Sequence, residues 1–188
     1  LPERVFYGCN SLRKIVLPDG LKTISDGTFA FCRALEAVDN IPAGGGDNFV
    51  YENGIFYTKD RKEIISVVPS AKGDLVVAEG ITTLRNYALA GCIGIKRLVL
   101  PTTITNLGNE SMAGCHSLAE IKVLAQQPPK VGKDPLLSSR INSIILRVPI
   151  DTKKTYRNWA GIPYKNIKEF GSIVTVRNTV RAYGEANP

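Results

Sequence analysis

Apolar residues return along this chain in one recurring order. Phe6, Cys9, Leu12, Ile15, Leu17, Leu21 and Ile24 are separated by polar or small residues, and the order repeats at Phe29, Cys32, Leu35 and Val38. It returns at Leu89, Cys92, Ile95, Leu98, Leu100, Ile104 and Leu107, and again at Met112, Cys115, Leu118 and Ile121. Cys9 to Cys32 and Cys92 to Cys115 are each 23 residues, while Cys32 to Cys92 is 60, which is one period of 23 plus 37 inserted residues. Such a period is that of a solenoid, in which each repeat buries its apolar side only against its neighbours. Within the unit, Lys14-Ile15-Val16-Leu17 and Arg97-Leu98-Val99-Leu100 alternate with period two and are rich in β-branched residues, so each predicts a strand. Pro18 and Pro101 end these strands, because proline cannot donate to the next ladder bond. Asp19-Gly20 and Glu79-Gly80 mark the same turn after a strand.

The segments FYGCNSLRKIVLPDGLKTI at 6–24, FAFCRALEAV at 29–38, LAGCIGIKRLVLPTTITNL at 89–107 and MAGCHSLAEIKV at 112–123 carry a motif that resembles the leucine-rich repeat of BspA-like surface proteins. That repeat type was first recognised in Treponema and is common in anaerobic gut and oral bacteria. The likeness covers roughly residues 1–170. It implies a repeat solenoid, mainly β with short helical or irregular turns: a right-handed leucine-rich repeat with a β-hairpin insertion and a C-terminal cap. It also implies a bacterial cell-surface or secreted protein, on the outer surface of a Gram-negative anaerobe, of a family associated with attachment. Leu89 and Met112 stand where other repeats have Phe, a change that keeps volume and leaves the fold intact.

Residues 39–75 interrupt the period. Phe49-Val50-Tyr51 and Ile55-Phe56-Tyr57 flank Glu52-Asn53-Gly54, and Asn-Gly between two β-rich runs predicts a hairpin. Ile64-Ile65-Ser66-Val67-Val68, ended by Pro69, reads as a further ladder strand. Exposed Phe49, Tyr51 and Tyr57 would make the hairpin a secondary ligand-reading candidate. Near the other end, residues 149–170 read as the cap. Asp151 to Trp159 forms a short helix behind an Asp cap, and Tyr156, Trp159, Tyr164 and Ile167 plug the column. A sugar platform at Trp159 is the alternative role. Residues 171–188 read as a linker and first strand of a following domain: the run from Val174 to Pro188, ending Tyr183-Gly184-Glu185-Ala186-Asn187-Pro188, is similar to the opening of glycine-rich, mostly-β surface domains. The chain begins inside a repeat, as a piece of something longer would.

Composition narrows the chemistry. The 188 residues are 44% hydrophobic and carry a net charge of +7, yet no Lys/Arg run is long enough to predict nucleic-acid binding. No apolar run reaches ~18 residues, so no membrane insertion by this segment is expected. The four cysteines share one repeat position and read as an inward-facing ladder of free thiols, with a bridge between stacked neighbours as the alternative. A zinc site is poorer still, since there is no Cys-x-x-Cys pair and His116, the single histidine, falls in a turn. No nucleophile, base and orienter set can be assembled, which points away from an enzyme and from any cofactor.

Binding is what remains. The outward positions of successive strands are Lys14 and Val16, Ala37 and Asp39, Arg97 and Val99, Glu120 and Lys122. Stacked about 4.8 Å apart on one concave sheet, they would set a basic residue beside a small apolar one. Such a face suits an extended extracellular or host protein, or an acidic glycan, approached by a monomer. The alternative is a structural spacer whose exposed charges only keep strand edges from pairing.

Overall fold

The structure, a computed structural model, describes residues 1–176 and 179–183. The chain winds into a mainly-β solenoid of about seven turns with almost no helix. Its strands are β1 (Lys14–Val16), β2 (Ala37–Asp39), β3 (Phe49–Glu52), β4 (Ile55–Thr58), β5 (Glu63–Val67), β6 (Lys72–Val76), β7 (Thr83–Leu84) and β8 (Gly94–Leu100). There follow β9 (Asn106–Leu107), β10 (Glu120–Val123), β11 (Lys130–Val131), β12 (Ile145–Pro149), β13 (Ile167–Phe170), β14 (Ser172–Val176) and β15 (Thr179–Tyr183).

Three sides enclose the core. On the strand face, β1 pairs in parallel with β2, and a separate parallel sheet runs in the order β6, β8, β10, β12, β13. The second side carries the short parallel strands β5, β7, β9 and β11, with the insertion hairpin β3–β4 added antiparallel to β5. Asn53 and Gly54 both have positive φ, as the predicted Asn-Gly turn requires. The third side is made of turns that hydrogen-bond along the axis: Gly8 N–H donates to Ala30 O, Phe31 N–H to Ala90 O and Gly91 N–H to Ala113 O, at 2.8–2.9 Å. On this side residues 26–31 therefore lie directly against residues 87–91, without an extra rung from the insertion between them.

Equivalent turn positions have left-handed backbone, among them Gly8, Phe31, Gly91 and Gly114. Of these four, only Phe31 carries a side chain; Ser138 continues the row beyond Gly114. A Cβ on Gly91 would lie 2.6 Å from Phe31 Cα, and one on Gly114 would lie 2.8 Å from the Phe31 ring. The glycines thus leave room for Phe31 to lie across two neighbouring coils.

The interior is a column of repeat positions. Cys32, Cys92 and Cys115 are buried, as are Leu35, Ile95 and Leu118, then Val38, Leu98 and Ile121. Each fully buried Leu or Ile contributes roughly 1.5–3 kcal/mol. The insertion divides this column. In β5, Ile64 and Val67 belong to the C-terminal core while Ile65 packs into the N-terminal one, and in β4 Ile55 and Phe56 divide the same way. A strand buried on both faces shows this near-continuous apolar run in place of alternation.

Several expectations need correction. Cys9 is exposed, so the inward ladder has three rungs: among the described residues no coil stacks on the outer side of the first. All four cysteines are free thiols. Ile64 to Val68 does hold a strand, but β5 lies on the second side, and the insertion's rung on the strand face is β6. Phe49 is fully buried, because the hairpin folds back on β5 and its inner face becomes core. No helix spans Asp151 to Trp159. Asp151 and Asn158 take left-handed backbone that breaks helical continuation, leaving turns and a 3-10 turn at Trp159–Gly161. In the cap Tyr156, Trp159 and Ile167 are buried, whereas Tyr164 stays at the surface between Lys153 and Arg157. Beyond the cap β14 and β15 form an antiparallel pair, and the Gly184–Pro188 stretch of the tail motif lies outside the described residues.

Candidate functional site: the strand face

Parallel register places the outward residues of the five-stranded sheet in rows along the axis. One row runs Asp74, Arg97, Glu120, Ile145. The next runs Val76, Val99, Lys122, Arg147, Lys168. Of the residues expected at the site, the structure brings Arg97, Val99, Glu120 and Lys122 together on two adjacent strands. Lys14 and Val16 lie elsewhere, on the β1–β2 sheet, because β2 and β6 do not pair.

The first row is a chain of alternating charge. Arg97 approaches Asp74 at 3.5 Å through Nη1 and Glu120 at 3.0 Å through Nε, while Arg147 Nε donates to the other Glu120 oxygen at 2.6 Å. One half-buried carboxylate thus holds two guanidinium groups in place, a geometry suited to arginine's fixed fork of donors. Exposed pairs of this kind contribute about 0–1 kcal/mol each. Lys14 is similarly paired with Asp39. Two of the three cations that the sequence suggested as recognition groups, Lys14 and Arg97, are therefore already engaged within their sheets.

The second row differs along its length. Val76 is 67% exposed, the highest value among the large hydrophobics of the described residues, and Val99 beside it is partly exposed. Lys122 follows, its ammonium 4.4 Å from the centroid of the Phe170 ring, within cation–π range. Lys168 is exposed and has no ion-pair partner among the described residues. Arg97, Glu120, Lys122, Arg147 and Phe170 line a shallow hollow of about 250 Å³ on this face.

Sequence reading missed Asp74, Val76, Arg147, Lys168 and Phe170. A signal for two of them existed. Arg147 stands two residues before Pro149, as Val16 does before Pro18 and Val99 before Pro101. Val76 stands three before Glu79-Gly80, as Val16 does before Asp19-Gly20. No equivalent punctuation follows Lys168.

The secondary candidates fare less well. Tyr51 is half-buried with its ring 4.6 Å from Phe56, and Tyr57 packs against the C-terminal core; burial pushes both phenols above their ordinary range. Trp159 is 6% exposed and its Nε1–H is spent on Pro129 O at 2.9 Å, so it offers no sugar platform. Burial also pushes the Cys32 thiol to about 11 and the Cys115 thiol to about 12, which leaves both inert at neutral pH. Among the described residues, no three His, Cys, Asp or Glu side chains converge as a metal site would need. No helix among them is long and apolar enough to cross a membrane.

The model of the BspA type leucine rich repeat region matches this chain in six copies, over residues 1–59 and 73–157. The chain belongs to the BspA-type leucine-rich repeat family. The first matched span includes the hairpin, and the stretch between the spans holds β5. Among solved structures, a leucine rich cell surface protein from Faecalibacterium prausnitzii is similar at 14% identity with a TM-score of 0.52, over 90% of this chain and 63% of that one. A leucine-rich repeat protein from Eubacterium ventriosum matches at 19% identity and TM-score 0.47, over 74% of this chain and 42% of that one. The pneumococcal vaccine antigen PcpA matches at 13% and 0.40, over 84% and 54%. The chain thus spans less than two thirds of each of these proteins. At these identities the first likeness concerns the fold alone. No curated protein matches the chain. These comparisons give no support to the Gram-negative envelope expected from the sequence.

Proposed function

We propose that this BspA-type solenoid is a non-enzymatic recognition and adhesion module of a bacterial cell-surface or secreted protein, a monomer that meets an extracellular protein with the β6–β13 face. The observation that carries the reading is the open five-stranded parallel sheet, with outward rows that hold exposed valine, lysine and arginine side by side. A broad surface of this kind, with only a shallow hollow, fits a macromolecule better than a small substrate. On this face Asp74 and Glu120 are engaged in holding arginines, which suits a structural part better than that of a general acid or base. Residues 171–188 lead into a following module in this reading.

One observation favours a spacer instead: the mutual pairing of Asp74, Arg97, Glu120 and Arg147 leaves part of the face satisfied without any partner. A binding screen against extracellular-matrix proteins and glycans at physiological salt separates the two readings, run beside the Lys122→Glu/Lys168→Glu variant. Saturable protein binding lost in the variant supports recognition through this face. Absence of binding by the parent chain favours the spacer, and binding only of polyanions that collapses with added salt assigns an acidic glycan.

A further inference from the structure

The Val76–Lys168 row is not uniform, and its order specifies a partner. Exposed apolar area lies at the β6 end, in Val76 and Val99. Positive charge lies at the β13 end, in Lys122, Arg147 and Lys168, one per strand on three neighbouring strands. Neither Lys122 nor Lys168 has an ion-pair partner among the described residues, whereas Arg147 is held by Glu120. Phe170 adds an aromatic ring beside Lys122 at the cationic end.

We propose that the segment recognised here is an extended polypeptide with apolar residues at one end and acidic residues at the other, lying along the solenoid axis across β6, β8, β10, β12 and β13. This inference rests on the recognition reading given above and names the partner's chemistry. Five strands set about 4.8 Å apart span roughly 19 Å, which about six residues of extended chain cover at ~3.3 Å each. Acidic side chains meet Lys122 and Lys168, while the apolar end covers the two valines. A polyanionic glycan satisfies the cations but sets charge and hydroxyl groups over Val76 and Val99, where they lose water without gaining a partner. A wholly apolar peptide leaves the lysines unmet. Charge complementarity at one end and apolar contact at the other select a polypeptide in which both occur in order.

The test uses fluorescently labelled ten-residue peptides in which valines and serines precede glutamates and serines, the reversed order, and an interleaved order of the same composition. Each is titrated to millimolar concentration at ~0.15 M salt, beside a sulfated polysaccharide. The expected result is that one ordered peptide binds at least about tenfold more tightly than the interleaved one. Lys122→Glu/Lys168→Glu abolishes that preference, and Val76→Ser, which leaves the charge as it is, weakens binding several-fold with an unchanged salt slope. Equal binding of all three peptides, binding of the polysaccharide alone, or no peptide binding overturns the inference. If the peptides fail while an extracellular protein still binds the parent chain and not the Lys122→Glu/Lys168→Glu variant, the recognition reading stands without this inference. If neither binds, both fall.

Discussion

On the N-terminal side of β5 the core gathers around a cluster of aromatic rings; on the C-terminal side it is built mainly from branched aliphatic chains. Phe29 stacks on Phe6 with ring centroids 6.1 Å apart and an interplanar angle of 1°, and Phe56 gathers Phe29, Phe49 and Tyr51 at 5.6, 5.7 and 4.6 Å. Beyond β5 the column holds mostly Leu, Ile, Val, Met112, Cys92 and Cys115; Tyr57 packs on its β4 edge, and buried rings return at the cap, where Tyr156 meets Trp159. The closure also differs. Tyr156 and Trp159 seal one end with hydrogen bonds to Ala125 O and Pro129 O, whereas Leu1, Phe6, Leu12, Ile15 and Leu21 are only partly buried at the other. Solenoid stability is a sum of coils and their interfaces, so a short stack with a partly covered face is the weaker unit. The ring cluster compensates by concentrating contact area in a few residues.

The sharpest way to break this contrast is Phe56→Ala, which removes the hub of the ring cluster. A loss of about 3–5 kcal/mol is expected for a buried Phe, confined to the N-terminal coils. Thiol labelling reads it site by site: Cys32 becomes reactive in the variant while Cys92 and Cys115 stay protected, and Cys9 labels in both proteins. If Cys115 opens together with Cys32, the two cores unfold as one and the division at β5 has no energetic meaning.

Gly91→Ala attacks the seam. The added methyl group meets Phe31 at 2.6 Å on backbone with φ +85°, so about 2–4 kcal/mol is expected. Thermal unfolding should separate into two transitions where the parent shows one. Tyr156→Phe weakens the opposite end by about 1–2 kcal/mol, because the buried Ala125 carbonyl loses the phenol proton donated to it at 2.6 Å. Hydrogen exchange should accelerate around β12 and β13 and leave β3 to β5 unchanged.

The smallest effect falls on the bridge between the halves. Asp26 lies beside Arg85 and accepts from Asn86, residues from opposite sides of the insertion. Burial raises its carboxyl above the ordinary range, outweighing the lowering by Arg85 and by the hydrogen bond from Asn86. A raised folded-state value means that Asp26 contributes most to stability when protonated, below the ordinary carboxylate range. That contribution fades as pH rises through the folded-state value. Asp26→Asn, neutral at every pH, should therefore match or exceed the parent in stability at pH 7 by under about 1 kcal/mol. Melting temperatures at pH 7 and pH 4 check the sign, and a clear loss at pH 7 would show that the Arg85 pair outweighs desolvation.

Much of the fold was legible because a repeat states its geometry several times. The period placed β1, β8 and β10, Pro18 and Pro101 ended the first two, and Asn53-Gly54 gave the hairpin. What stayed hidden depended on single events. The side on which Ile64 to Val68 would pair was not encoded in its apolar run, since a strand buried on both faces looks alike from either sheet. Asp151 resembled a helix cap because local composition does not reveal that its backbone turns left-handed. At the candidate site, alternation found Arg97, Val99, Glu120 and Lys122. It could not show that Arg97 is held between two carboxylates, or that Lys14 belongs to another sheet, because both facts depend on contacts between coils.

The turn side runs from residues 26–31 to 87–91 without an added rung, while the other two sides admit β6 and the β3–β5 sheet. A three-sided column lengthened on two sides and pinned on the third behaves like an opened fan. Its two groups of outward strands form separate sheets, so a partner that follows the β6–β13 ladder does not run on unbroken to β1–β2. Wherever this solenoid is tethered, the heading of its larger face is set by the pinned edge at Phe31.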